Sequence, residues 1–85
     1  MAKEKMVEKR LENWRKKVRL ILDVATLRNQ VGADALARKL GYKNSTGYYS
    51  IRREPENRLT LQRIRVLKKE LKLTEEEYAT IANTY

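Results

Sequence analysis

LARKLGYKNSTGYYSIRR, residues 36–53, is the stretch of this 85-residue chain that decides its fold. Leu36 and Leu40 stand one helical turn apart, so both side chains lie on the same face of a helix. Gly41 follows at once, and a glycine directly after the last apolar position is typical of a helix end. We therefore predict a short helix over about residues 33–40 that stops at this glycine.

The polar residues after this glycine predict a tight turn and then a second helix. Asn44 or Ser45 can cap that helix by accepting a hydrogen bond from a backbone N–H group. Tyr48 and Ile51 stand three apart, so they share the face that packs against the core. With the second helix over about residues 45–53, the two helices form a helix-turn-helix.

Length and composition indicate one small helical domain over residues 1–85. The chain is 36% charged and 41% hydrophobic with three glycines and one proline, which suits helices better than a β-fold with many turns. We predict an all-α fold, a compact bundle of five to six short helices with an additional N-terminal helix. Residues 1–29 form the N-terminal extension and first core helix, residues 30–78 the helix-turn-helix core, and residues 79–85 the end of the last helix.

The charge of the chain predicts a polyanionic partner. Its net charge is +9 and its sequence pI is near 10.0, values that favour nucleic acid before any other ligand. All 20 lysines and arginines lie in residues 1–72, whereas residues 73–85 contain acids and no base. We therefore expect phosphate contacts outside the C-terminal segment.

Several function classes have no support in the sequence. The chain has no cysteine and no histidine, which removes thiol chemistry, the commonest general base and the commonest metal ligand. Its acidic residues form no recognisable catalytic pair, so we predict that it is not an enzyme and needs no cofactor, metal or small-molecule ligand. No apolar run approaches the roughly 18 residues of a membrane span. We expect a cytoplasmic protein with no membrane partner.

An apolar seam marks the first helical segment. Val7, Leu11, Trp14 and Val18 recur in steps of four and three, the spacing of a heptad stripe. The seam has two interpretations: it folds back as an extra core helix, or it pairs with a second subunit. Under the second interpretation these four residues are the dimer or partner surface.

Four further features organise the rest of the chain. A second apolar row widens the core face of the first segment, which Gly32 ends; the row is Leu20, Val24, Leu27 and Val31. Pro55 marks a loop of about five residues. Thr60 can cap a helix with an apolar row beginning at Leu61 and continuing through Ile64, Leu67 and Leu71. Thr74 and Glu77 have the spacing of a capping box that opens the last helix.

The motifs around the turn resemble those of the Cro and phage-repressor (XRE-type) helix-turn-helix family over about residues 30–78. The matching residues are Leu36-Ala37, Leu40-Gly41-Tyr42, Ile51, Thr60-Leu61-Gln62-Arg63-Ile64, Leu71-Lys72-Leu73-Thr74 and Glu77-Tyr78. Between Leu40 and Ile51 this chain has one residue more than the family spacing. We place that residue in the turn, because Asn44 then becomes the cap. Gly47 also departs from the pattern, because it costs a helix about 1 kcal/mol relative to alanine.

The resemblance implies DNA contacts by the second helix and the turn. Outward positions on the second helix are candidates for reading bases: Ser45, Thr46, Tyr49, Ser50 and Arg53. Polar and basic positions beside them are candidates for phosphate contact: Arg38, Lys39, Lys43, Asn44 and Arg52.

The resulting hypothesis is a sequence-specific protein for double-stranded DNA. It implies a phage, plasmid or prokaryotic transcriptional regulator that acts by occupying an operator as a homodimer, with its second helix in the major groove. Two alternatives remain open: a protein-interaction or assembly module on the same fold, and an architectural protein that binds DNA with weak sequence preference.

Overall fold

Six helices follow one another in the described part of the computed structural model, which covers the backbone of residues 2–83 and the side chains of residues 8–83. Their bounds are α1 Ala2–Asn29, α2 Ala33–Lys39, α3 Ser45–Arg53, α4 Pro55–Arg58, α5 Leu61–Glu70 and α6 Glu75–Ala82. The predicted all-α bundle is confirmed, and α2 and α3 take almost the predicted bounds. The long helix α1 packs against α3, α4 and α6.

One apolar core joins these helices, and α1 crosses it. Trp14, Val18, Leu22 and Ala25 form its buried stripe. The other helices and the residues that follow α2 and α5 contribute the remaining buried apolar residues, which are Leu36, Ala37, Leu40, Tyr48, Ile51, Ile64, Leu67, Leu71, Leu73 and Ile81. The predicted core positions Tyr48 and Ile51 are therefore confirmed.

The seam of α1 belongs to the core of its own chain. Trp14 and Val18 are buried, and the Trp14 indole N–H donates a hydrogen bond to the Thr80 carbonyl oxygen at 3.1 Å. Leu11 is half-buried against the same core. Trp14 and Val18 are therefore covered by their own chain and are not free to form a dimer surface. The side chain of Val7 lies outside the described residues.

Three of the four residues of the predicted second row do not face the core, whereas the fourth, Val31, lies after the end of α1 and is half-buried against the core. Leu20, Val24 and Leu27 are 64%, 46% and 81% exposed, whereas Leu22, which belongs to neither predicted row, is fully buried. The row lies on the opposite side of the helix from Val18, because positions two residues apart are separated by about 200°.

Three helices end in a residue with positive φ, which lets the chain reverse. These residues are Gln30 after α1, Gly41 after α2 and Lys72 after α5. At the end of α1 the Val31 N–H donates to the Thr26 carbonyl at 3.0 Å, as in a Schellman motif. The prediction that Gly32 ends α1 is therefore corrected: Gln30 takes the left-handed conformation, and Gly32 precedes α2 with φ −77°.

The segment after α3 also differs from its prediction. Pro55 is buried and opens the one-turn helix α4, because proline is accepted in the first turn of a helix, where its missing N–H has no partner to lose. Thr60 caps α5 through the Arg63 N–H, as predicted. Leu61, expected in the core row of that helix, is 58% exposed, whereas Ile64 and Leu67 of the same row are buried.

Ion pairs attach α1 to three other helices. Arg15 binds the Glu56 carboxylate on α4, and Arg28 binds that of Glu77 on α6 at 3.0 Å. These contacts lower the pKa of both glutamates, with the hydrogen bond from the arginine as the main cause. Glu77 also closes the predicted capping box with Thr74, which is confirmed. None of the helices in the described range is long and apolar enough to cross a membrane.

Candidate nucleic-acid interface

The end of α2 builds the turn of the helix-turn-helix from backbone hydrogen bonds. The Gly41 N–H donates to the Arg38 carbonyl at 3.1 Å and the Tyr42 N–H to the Ala37 carbonyl at 2.9 Å, which is the Schellman pattern. Gly41 has a φ of +93°, a conformation that favours glycine. The predicted stop at Leu40–Gly41 is confirmed.

Asn44 caps α3. Its backbone is extended, and its side-chain Oδ1 accepts a hydrogen bond from the Thr46 N–H at 3.0 Å. This bond satisfies one of the backbone donors that a helix start leaves without a partner. The placement of the extra residue in the turn is thus supported by the geometry, and the outward and inward positions of α3 follow from it. Because Oδ1 is engaged in the cap, the side chain of Asn44 can reach a phosphate only through its Nδ2 group.

Asp34 ties the start of α2 to the start of α3. Its Oδ1 accepts a hydrogen bond from the Ser45 N–H at 2.8 Å, so a carboxylate stands at the positive end of α3. No role was predicted for Asp34 at this position. The sequence feature that could have indicated one is that Asp34 is the last acid before a stretch without acids, residues 35–53.

Gly47 lies under the ring of Tyr42. A Cβ atom built on Gly47 would approach the Tyr42 Cγ to 2.0 Å, so no larger residue fits without a shift of the ring. The Arg63 guanidinium of α5 lies over the same ring, 4.6 Å from its centroid. The glycine that seemed a cost to α3 is therefore required by packing.

The outward face of α3 presents Thr46, Tyr49 and Arg53, which are all exposed. Tyr49 is 52% exposed, although its ring also touches the buried Tyr48 with 5.7 Å between centroids. Ser45 and Ser50 are half-buried at the sides of this face. The hydroxyl of Ser50 donates to the Thr46 carbonyl at 3.0 Å and is thus engaged within the helix.

Four cations lie on or beside this face. Arg38, Lys39, Lys43 and Arg53 are exposed, and within residues 8–83 none of them takes part in an ion pair. Together with the outward face of α3, they define what we call the basic face. Residues 35–53 contain no acid, and the nearest carboxylates along the chain are Asp34 on one side and Glu54 on the other.

Arg52 differs from its prediction as a phosphate contact. Its guanidinium binds the Asp23 carboxylate of α1 at 2.8 Å, and its Nε is buried with no partner among the described residues. Its backbone carbonyl also accepts a hydrogen bond from the Arg19 Nε at 3.0 Å. Arg52 therefore holds α3 against α1 instead of standing free for a phosphate.

Tyr48 anchors α3 from the inside. It is buried, and burial raises the pKa of its phenol, while the nearby charge of Arg52 opposes that shift. The two neighbouring tyrosines thus have different environments, Tyr48 in the core and Tyr49 on the basic face. Within residues 8–83, no group of three or more acidic side chains has the geometry to hold a metal ion.

No family of known proteins, no curated protein sequence and no solved structure matches this chain.

Proposed function

We propose that this chain binds double-stranded DNA sequence-specifically, with α3 in the major groove, and regulates transcription by occupying an operator. The observation that carries the proposal is the basic face. Thr46, Tyr49 and Arg53 project from a helix that is capped at its start and anchored in the core behind them. A rigid helix with exposed polar side chains is what direct readout in the major groove requires.

The charges around α3 support phosphate binding. Among the described side chains, Arg38, Lys39 and Lys43 flank α3 with no partner in an ion pair, whereas Arg15 and Arg28 of α1 and Arg52 of α3 are each paired with an acid. Unpaired surface cations gain from contact with phosphates, because binding releases the counterions condensed on DNA.

The outward side chains of α3 have the chemistry that base reading needs. The guanidinium of Arg53 can donate two hydrogen bonds to the O6 and N7 of a guanine. The hydroxyl of Thr46 reaches base edges, and the ring of Tyr49 can pack on a thymine methyl group while its hydroxyl meets a phosphate. Asp34 and Asn44 bind the backbone at the start of α3, which holds the helix carrying these three side chains against the end of the turn.

The proposal is tested by selecting duplexes from a randomised pool and measuring fluorescence anisotropy over a salt series with a selected and a scrambled duplex. The selected duplex is expected to bind more tightly at every salt concentration. No binding to either duplex at about 50 mM salt contradicts the proposal. Steep salt dependence with equal affinity for the two duplexes instead favours an architectural DNA-binding protein.

Two classes of variant separate reading from positioning. Lys43→Ala is expected to weaken binding to both duplexes equally and to lower the slope of log affinity against log salt by about one. Thr46→Ala and Arg53→Ala are expected to lower the preference for the selected duplex by about 1–3 kcal/mol each. Lys9→Ala removes an exposed cation from α1, outside the basic face, and serves as the matched control.

A further inference from the structure

Three exposed apolar side chains form one strip on the outer side of α1. Leu20, Val24 and Leu27 follow each other in steps of four and three, so they share one face of the helix, opposite the buried Val18 and Leu22. The largest exposed apolar patch of a small protein is often the place where another molecule binds. We call these three residues the α1 strip.

The α1 strip is electrically neutral in a strongly basic chain. Two charged side chains beside the strip are engaged with α3: Asp23, which also lines the groove next to Leu27, binds Arg52, and the Arg19 side chain donates to the Arg52 carbonyl oxygen. Two copies with a net charge of +9 repel each other over most of their surfaces. The three side chains of the strip carry no charge, so contact between two strips does not itself bring cations together.

The order of residues in the α1 strip is nearly the same in both directions. Leucine stands at each end and valine stands between them, so an antiparallel copy of the strip presents the same pattern. A two-fold interface requires a surface that is complementary to itself in this way. The smaller valine at the centre allows the two helices to approach most closely at the axis.

We infer that the α1 strip binds the same strip of a second copy of this chain, in antiparallel orientation about a two-fold axis near Val24. In this arrangement Leu20 of one copy packs beside Leu27 of the other. Lys16 and Lys17, which are exposed at the N-terminal end of the strip, then lie near the C-terminal end of the other α1. Cations are stabilised there by the negative end of the helix dipole.

Grooves on both sides of the α1 strip provide room for the second copy. One of about 310 Å³ separates the strip from α6 and includes Ile21 and Thr80 in its lining. The other, of about 540 Å³, lies beside Leu27 and is lined in part by Thr26 and Val31. A ridge between two grooves is the surface that helix-on-helix packing uses.

The size of the α1 strip implies a weak contact. Three side chains supply less than the roughly 800 Å² per partner of a standard interface, so the dimer forms at high concentration in solution. Two copies held next to each other on a larger molecule would pair more readily, because their effective concentration is higher. The inference itself does not depend on DNA binding and is tested without nucleic acid.

Disulfide cross-linking tests the contact and its direction, because the chain has no cysteine of its own. The variants Val24→Cys, Leu20→Cys and Leu27→Cys each place one thiol on the strip. Lys69→Cys places one on an exposed position of α5 as the matched control. All four are oxidised with diamide at the same high protein concentration, after circular dichroism has established that each is folded.

Val24→Cys is expected to form the covalent dimer at least about tenfold faster than Lys69→Cys, because pairing raises the local concentration of its thiol. An equimolar mixture of Leu20→Cys and Leu27→Cys is expected to cross-link faster than either variant alone. Equal rates at positions 24 and 69 overturn the inference. Faster cross-linking of Leu20→Cys with itself than with Leu27→Cys overturns the antiparallel arrangement. Neither result bears on the affinity for DNA.

Discussion

The ring of Tyr42 occupies the space where a side chain on Gly47 would begin. A Cβ atom on Gly47 would lie 2.0 Å from the Cγ and 2.3 Å from the Cδ1 of that ring. The Arg63 guanidinium of α5 lies over the same ring, 4.6 Å from its centroid. The Tyr42 ring thus packs between Gly47 of α3 and Arg63 of α5.

Gly47→Ala is therefore expected to destabilise the protein, by about 1–3 kcal/mol, the usual cost of adding a methyl group where no space exists. In an open helix the same change would stabilise by about 1 kcal/mol, because alanine is the better helix former. The sign of the change in the free energy of unfolding, measured with urea and Trp14 fluorescence, distinguishes the two cases. In a protein that already carries Tyr42→Ala, adding Gly47→Ala is expected to cost less stability than it does in the unchanged protein, because the ring is gone. A stabilising effect of Gly47→Ala alone would show that the ring moves aside at no cost.

Asn44→Ala is expected to lower the free energy of unfolding by about 1 kcal/mol, because the Thr46 N–H loses its acceptor at the start of α3. Asn44→Asp keeps an acceptor and is expected to restore most of the stability. Lys43→Ala, one position earlier in the turn, serves as the control and is expected to stay within about 0.5 kcal/mol. If Asn44→Ala were as stable as this control, α3 would begin at another residue.

Leu22→Ala and Leu20→Ala test which side of α1 faces the core. Leu22 is fully buried, so its truncation is expected to cost about 2–5 kcal/mol. Leu20 is mostly exposed, and its truncation in dilute solution is expected to change the stability by less than about 0.5 kcal/mol. Both substitutions introduce alanine in the same helix, so helix propensity affects them alike. The reverse order in thermal or urea unfolding would mean that α1 is rotated about its axis.

Stability is expected to fall in acid because of Glu56 and Glu77. Hydrogen bonds from Arg15 and Arg28 lower the pKa of these carboxyls below the ordinary value of 4.5 in the folded state. A depressed pKa means that the unfolded chain takes up protons first, so their stabilising effect is present above about pH 4.5 and is lost as the pH falls through the folded-state pKa.

Urea unfolding from pH 7 to about pH 3 measures this loss. Glu56→Gln is expected to make the dependence of stability on pH shallower, because one of the two carboxyls with a lowered pKa is removed. Glu8→Gln, on the exposed part of α1, is the control and is expected to keep the slope of the unchanged protein. An identical slope for Glu56→Gln and the unchanged protein would contradict the contribution of the ion pair between α1 and α4.

The sequence by itself determined where the helices begin and end around the turn. Gly41 stops α2, Asn44 caps α3, and the Thr74–Glu77 box opens α6, all as predicted. These features depend on hydrogen bonds between residues a few positions apart, so a short stretch of chain contains the whole interaction. For the same reason the outward positions of α3, such as Thr46 and Tyr49, were predictable once its first residue was known.

Only the tertiary structure decided which faces and charges are used. Leu20 and Leu22 are both apolar, and helical spacing alone cannot tell which of two stripes on α1 meets α3, α4 and α6. The sequence predicted Arg52 as a phosphate contact, because nothing in its neighbourhood along the chain indicates the ion pair with Asp23, which lies 29 residues earlier. Gly47 could not be explained without the ring of Tyr42 above it. In each case the deciding partner is brought close by the packing of helices, and local spacing carries no information about that packing.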